Sequence, residues 1–341
     1  MEKTRIKGNV HYVGVNDRNK HRFEAMWPLP YGVSYNSYLI DDEMVALVDT
    51  VDICYFEVYL RKIKQVIGER PINYLIINHM EPDHSGSIRL IKQHYPEIII
   101  VGNKQTFGMI EGFYGVTGEQ YLVKDGAFLA LGRHKLRFYM TPMVHWPETM
   151  MTFDETDGVL FSGDGFGCFG TVDGGFLDTR INVDKYWGEM VRYYSNIVGK
   201  YGSSVQKALQ KLGGLPISAI CSTHGPVWTE NIAKVIGIYD RLSRYDADEG
   251  VVIAYGSMYG NTEQMAEAIA EELSAQGVKN IVMHNVTKSH PSYIIADIFR
   301  YKGLIIGSPT YSNQIFPEVE ALLSKILLRL SLIHISEPTR R

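Results

Sequence analysis

The chain has 341 residues, 45% of them hydrophobic and 21% charged, with a formal net charge of −4 at neutral pH. That length exceeds one ordinary core and fits two globular domains, the composition excludes disorder, and the balance of charge gives no footing for nucleic acid. Three scattered cysteines (Cys54, Cys168, Cys221) exclude a disulfide framework, and with neither a signal-peptide core nor a run of about 20 apolar residues the expectation is a cytoplasmic protein that does not enter membranes.

In chain order, short strands are expected at 10–15, 37–40 and 44–51, the last after the Asp41-Asp42 turn. Helical spacing of apolar residues follows over 52–67, then a strand at 74–77, a helix at 86–95 and a buried strand at 98–101. Further strands fit 136–140, 150–153 and 159–162, each ending near a His, Asp or Gly. Strands alternating with helices and polar loops predict a layered α/β domain. The charged stretch 239–249 marks a boundary, because a fresh βαβαβ order starts after it: strand 251–255, helix 262–275, strand 280–286, helix 294–301 and strand 304–306. A helix over 319–330 closes this series, giving expected domains of 1–246 and 250–330. The tail 331–341 fits no expected strand, reads like translated adapter sequence, and is taken as non-native.

The strand at 74–77 releases Asn78-His79-Met80-Glu81-Pro82-Asp83-His84, two imidazoles and two carboxylates within six residues. Pro82 favours a loop there and disfavours a helix. Three more candidates end apolar segments: His145 before Trp146-Pro147-Glu148, Asp164 in Phe161-Ser162-Gly163-Asp164, and His224 in Ser222-Thr223-His224-Gly225. Singly, each reads as a hydrogen-bonded histidine or a turn aspartate. Together, four nitrogen and three oxygen ligands suffice for two metals sharing a bridging carboxylate, and such crowding is unfavourable without a cation. His94, His134 and His284 read as ordinary surface or strand-end residues.

The loop Tyr255-Gly256-Ser257-Met258-Tyr259-Gly260-Asn261-Thr262 joins a strand to a helix and suits a phosphate, held by backbone N–H groups and hydroxyls. It lacks the lysine of a nucleotide-triphosphate P-loop. A second loop, Ser308-Pro309-Thr310-Tyr311-Ser312-Asn313, also follows a strand, so both should emerge at the carboxyl end of a parallel sheet. Gly165-Phe166-Gly167-Cys168-Phe169-Gly170 formally matches a dinucleotide fingerprint but opens no helix and is set aside.

These patterns resemble a known family. His79-x-Glu81-x-Asp83-His84 with later His145, Asp164 and His224 is similar to the flavodiiron branch of the metallo-β-lactamase superfamily, whose hydrolytic members usually carry His where Glu81 stands. A carboxylate there hardens the site toward iron over zinc. The loops at Ser257, Met258, Tyr259, Gly260, Asn261 and Thr262, and at Pro309, Thr310, Tyr311, Ser312 and Asn313, resemble the two FMN-contacting loops of flavodoxins. The implied fold is α/β: a metallo-β-lactamase-like αββα sandwich, then a partial flavodoxin-like doubly wound parallel sheet.

The resemblance implies two non-haem irons and FMN, with His79, Glu81 and His145 on one iron, Asp83, His84 and His224 on the other, Asp164 bridging, and no catalytic residue beyond the ligands. It implies an oxidoreductase that reduces O2 to water or NO to N2O, fed by rubredoxin or a similar donor, as a head-to-tail homodimer or a dimer of dimers. A zinc hydrolase of the same superfamily is the first alternative, and a flavodoxin-type electron carrier with a non-catalytic larger domain the second. His21, Tyr194 and Trp146 are candidates around the ligands. A flavodoxin-like sheet normally has five strands and this chain supplies three before its end, so FMN binding is expected to be weak.

Overall fold

In the computed structural model of the protein, residues 3–330 are described. The tail read at 331–341 lies outside them. Two compact units are present: Met1–Met190 with Ser203–Asp240, and Val191–Gly202 with Arg241–Arg341. The division is therefore not a single cut, since the short excursion at Val191–Gly202 belongs with the second unit.

The first unit is built on two sheets. One has seven strands in the order Arg5–Lys7, Val10–Tyr12, Tyr38–Ile40, Ala46–Val48, Tyr74–Ile76, Ile99–Gly102 and Gln120–Leu122, antiparallel at the start and parallel from Ala46–Val48 onward. The other has five, Phe128–Ala130, Lys135–Met140, Met150–Asp154, Val159–Gly163 and Ala219–Ser222, in which only the last pair is parallel. A single buried cluster takes Val10, Ile40, Val48 and Ile76 from the first sheet and Leu136, Phe138, Met150 and Phe161 from the second, so the two share one core. Every residue of Met150–Asp154 and Val159–Gly163 is buried, as strands covered on both faces require.

Helix Phe56–Ile67 buries Phe56, Tyr59, Leu60, Ile63, Val66 and Ile67, a single stripe at helical spacing. Its Tyr59 hydroxyl lies 2.7 Å from the Ser37 hydroxyl, which ties the stripe to the seven-stranded sheet. Pro82 departs from expectation. Pro82–Ser85 forms one helical turn with the proline at its start, where a missing N–H costs nothing. His134 also departs: it is buried, with Nδ1 2.7 Å from Asp42 Oδ2 and Nε2 3.1 Å from Asp157 Oδ2. His94 is exposed, and His284 is half-buried beside Asp297 at 2.9 Å. The segment at Gly165–Gly170 opens no helix; the next one starts at Asp184.

The second unit has a parallel sheet of three strands among the described residues, in the order Ile281–Asn285, Asp248–Tyr255, Tyr301–Gly307. Helices Asn261–Ala275, Pro291–Arg300 and Pro317–Arg329 connect or follow them. A two-stranded hairpin, Thr310–Tyr311 with Gln314–Ile315, was not foreseen; Ser312 and Asn313 make its turn with φ of 48° and 63°, the paired left-handed conformation that suits right-twisted strands.

Asp178 pins the segment after His224. Its carboxylate accepts N–H groups of Thr229, Glu230 and Asn231 together with the Thr229 hydroxyl and the Asn231 amide, all between 2.7 and 3.0 Å. Burial alone would raise its pKa, but these donors outweigh burial and lower it. A carboxyl lowered in the folded state contributes stability above its unfolded pKa, and that contribution disappears as the pH falls through the folded value. Asp178→Asn should therefore cost about 1–3 kcal/mol at neutral pH. The gap to wild type should narrow below about pH 4 in denaturant unfolding; a gap that stays constant into acid contradicts this role.

Candidate metal centre and flavin loops

The candidate ligands leave the ends of strands that lie side by side. Tyr74–Ile76 runs parallel to Ala46–Val48, which places Asn78 and His79 beside Asp49. The Asp49 carboxylate accepts the Asn78 N–H at 2.7 Å and its side-chain amide at 3.0 Å. The Thr152 hydroxyl donates to the Asn78 side-chain Oδ1 at 2.8 Å, so Asn78 joins the two sheets beneath the site. Val159–Gly163 runs parallel to Ala219–Ser222, which places Asp164 next to Thr223 and His224. Gly163 has φ of +54°, a left-handed turn that suits glycine and redirects the chain so that Asp164 enters the cluster.

All seven predicted ligands converge. His79, Glu81, His145 and Asp164 form one group whose ligating atoms lie within 4.8 Å of one another, and Asp83, His84 and His224 form a second. Asp164 faces both. Its Oδ2 lies 3.0 Å from His145 Nε2 and 3.5 Å from His79 Nε2, whereas Oδ1 lies 3.0 Å from His84 Nε2 and 3.8 Å from His224 Nε2. Thr223 donates its hydroxyl to Oδ1 and fixes the rotamer.

The surroundings fit cations. Asp83 is buried, neither of its oxygens accepts a hydrogen bond, and the nearest imidazole nitrogens, on His84 and His224, stand 3.5 Å away. A carboxylate in that position is costly unless a positive charge meets it. Burial lifts its carboxyl to about 7. Burial disfavours charge on His145 too, but Asp164 and Glu81 outweigh it and raise the imidazole to about 9. His84 reaches about 9 against the same penalty, through Asp83 and Asp164. For His224, burial and the neighbouring His84 depress the pKa to about 3. Protons and metal ions compete for these lone pairs.

Ring orientations are fixed from behind. His79 Nδ1 lies 2.8 Å from Glu148 Oε1, and His224 Nδ1 donates to the Ser34 carbonyl at 2.7 Å, leaving both Nε2 atoms toward the cluster. Of the three residues expected around the ligands, Trp146 is there, its ring 5.3 Å from that of His79 and edge-on. His21 is exposed, and Tyr194 falls in the second unit. Sequence reasoning missed Asp49, Asn78, Glu148, Ser34 and Thr223 as supports. Asn78, Glu148 and Thr223 are each within three residues of a candidate ligand, which was the available signal.

In the second unit Tyr255 pairs with Gly307, so the loops after these two strands emerge side by side. Ser257 is half-buried and its hydroxyl accepts the Gly260 N–H at 3.1 Å. Gly260, at φ +91°, precedes helix Asn261–Ala275. Met258, Tyr259, Asn261, Thr310, Tyr311, Ser312 and Asn313 are exposed, while Thr262 and Pro309 are half-buried. A side chain at Gly256 would meet the Phe316 ring at 2.7 Å, so the loop can lie this close to the helix beginning at Pro317 only with glycine there.

The family model described as ODP family beta lactamase matches residues 33–225, and the flavodoxin model matches residues 253–332. The anaerobic nitric oxide reductase flavorubredoxin of Vibrio vulnificus is 32% identical over 94% of this chain and 66% of its own length. Its namesake from Escherichia coli is 31% identical over 94% of this chain and 68% of its own. Among solved structures, rubredoxin oxygen:oxidoreductase of Desulfovibrio gigas superimposes with a TM-score of 0.89 at 31% identity, covering 93% of this chain and 80% of that one. The chain belongs to the flavodiiron protein family. The flavodiiron protein of Giardia intestinalis gives the same TM-score, 0.89, at 28% identity over 93% of this chain and 78% of its own. This flavodiiron chain spans about two thirds of the length of the curated relatives it matches.

Asp83, whose oxygens accept no hydrogen bond, separates the metal requirement from ordinary packing. In metal-free protein, Asp83→Asn should raise the unfolding midpoint, because it removes a buried charge without a hydrogen bond. In metal-loaded protein the same change should lower the content by about one ion per chain, since it removes one ligand set's carboxylate. Unfolding scans with and without metal check the pair of effects; destabilisation of the metal-free form would show that Asp83 is held by the fold itself.

Proposed function

We propose that this chain is an oxidoreductase that reduces O2 to water, NO to N2O, or both, at a non-haem di-iron site, with electrons relayed through FMN. The observation that carries the reading is Asp164, whose two oxygens turn toward two separate groups of ligands. His79, Glu81 and His145 would hold one iron, Asp83, His84 and His224 the other, and Asp164 would bridge. The iron pair supplies the redox chemistry when bound. The chain's own contribution is position and electrostatics. Glu81 gives the first set a carboxylate in place of an imidazole, which favours iron over the zinc of the hydrolytic reading. With three carboxylates against two ferrous ions the ligands leave a formal charge of about +1, which favours an anionic or electron-accepting guest.

FMN would be held by the loops at Ser257 to Thr262 and Pro309 to Asn313. The backbone N–H groups at the start of helix Asn261–Ala275 suit its phosphate. Among the described residues Tyr301–Gly307 is an edge strand of this sheet. The donor would be rubredoxin or a similar carrier, and a head-to-tail homodimer or dimer of dimers would bring one subunit's FMN to the other's irons. A cytoplasmic setting is part of the proposal; among the described residues no helix is long and apolar enough to cross a membrane.

Protein reconstituted with iron without oxygen should carry about two irons per chain, its Glu81→His variant should shift toward zinc, and a chemical reductant should drive O2 or NO consumption. Preferential zinc with thioester or lactam hydrolysis would favour the hydrolase instead.

A further inference from the structure

Glu148 is fully buried at the end of the loop between strands Lys135–Met140 and Met150–Asp154. Its Oε1 accepts two hydrogen bonds at 2.8 Å, from the His79 ring and from the Met80 N–H. Its Oε2 is buried with no hydrogen-bond partner. The residue cannot swing away easily, because its backbone carbonyl accepts the Asn103 amide at 2.6 Å while Asn103 caps helix Lys104–Tyr114. An ionised carboxylate can only accept, so His79 must carry its proton on Nδ1 and present the Nε2 lone pair to the cluster.

The backing of the other rings differs. His224 rests on a neutral carbonyl, that of Ser34, and the buried Nδ1 of His84 has no hydrogen-bond partner. Asp49, the other buried carboxylate beneath the site, has its oxygens engaged by the N–H and side-chain amide of Asn78, so the carboxylate hydrogen-bonded directly to the back of a ring, Glu148 on His79, falls on the His79 side of Asp164. A carboxylate behind a ligating imidazole raises its basicity and fixes its plane. Both ligand sets otherwise hold two imidazoles and one terminal carboxylate, so this backing breaks their near symmetry.

We propose that Glu148 is a positioning residue that makes the two metal positions unequal, so that the His79, Glu81 and His145 position binds the first divalent ion. The inference rests on the two-metal reading above. It adds that the pair fills in order, and that the order is set by a residue which itself touches no metal.

The test titrates metal-free protein with Co(II), followed by its visible absorption and by anomalous diffraction from crystals grown at one equivalent. Wild type should show two resolved binding steps, with the first ion beside His79. Glu148→Gln keeps the shape and an oxygen able to accept both hydrogen bonds but removes the charge; its first step should weaken by about 10- to 100-fold, with the first ion divided between positions. A first ion beside His84 in wild type overturns the proposal, and that result needs no variant to fold. Identical steps in wild type and Glu148→Gln overturn it as well while leaving the two-metal reading standing. Uptake of fewer than two ions per chain would remove both.

Discussion

The fold is organised around a buried cluster of carboxylates and imidazoles whose charges must be balanced away from water. Three carboxylates and four imidazoles lie buried at the ends of strands in a two-sheet core, with Glu148 and Asp49 behind them. Hydrogen bonds satisfy Asp49 and hold Asp164, but Asp83 accepts none and is met only by imidazole nitrogens 3.5 Å away, a costly position for a carboxylate away from water. A pair of divalent cations at the proposed site would complete the balance, and the sheets are arranged so that the candidate ligands meet there. The parallel pairs Ala46–Val48 with Tyr74–Ile76, and Val159–Gly163 with Ala219–Ser222, each deliver a ligand beside its own support.

This explains an asymmetry in how the chain is built. The ligands occupy loops, where a side chain can be aimed freely, but the loops are fixed by groups from elements far away in sequence. Ser34 orients His224 across 190 residues, and Asp49 holds Asn78 across 29. Support of that kind pre-organises the candidate ligand atoms.

Much of this was legible in the sequence. Helix Phe56–Ile67 and the strands Tyr74–Ile76, Met150–Asp154 and Val159–Gly163 followed from apolar periodicity, and the candidate site from the density of His, Asp and Glu at strand ends, whereas helices Lys104–Tyr114, Asp184–Tyr193, Gly202–Leu212 and Ile232–Ser243 and strand Ala219–Ser222 did not emerge from that pattern. Nor did the supports. Asp49 reads as a polar residue after a strand, and only the parallel pairing with Tyr74–Ile76 turns it toward Asn78. Pro82 was read as a loop residue because proline breaks helix interiors, whereas it starts a single turn. His134 passed for a strand-end residue because its carboxylate partners, Asp42 and Asp157, come from separate hairpins. The excursion at Val191–Gly202 had no signal in a reading that seeks one boundary, since membership of a unit is decided by contacts and not by order along the chain.

The central claim is that one carboxylate, Asp164, joins two metal positions. X-ray absorption at the iron edge of anaerobically loaded protein addresses it directly. A bridged pair predicts an iron–iron vector of about 3.5–4 Å, lost when Asp164 is replaced by alanine. Iron bound without any metal–metal scattering in the wild-type protein would contradict the account, since it would leave Asp164 as a ligand to one ion and the two groups of residues as separate sites.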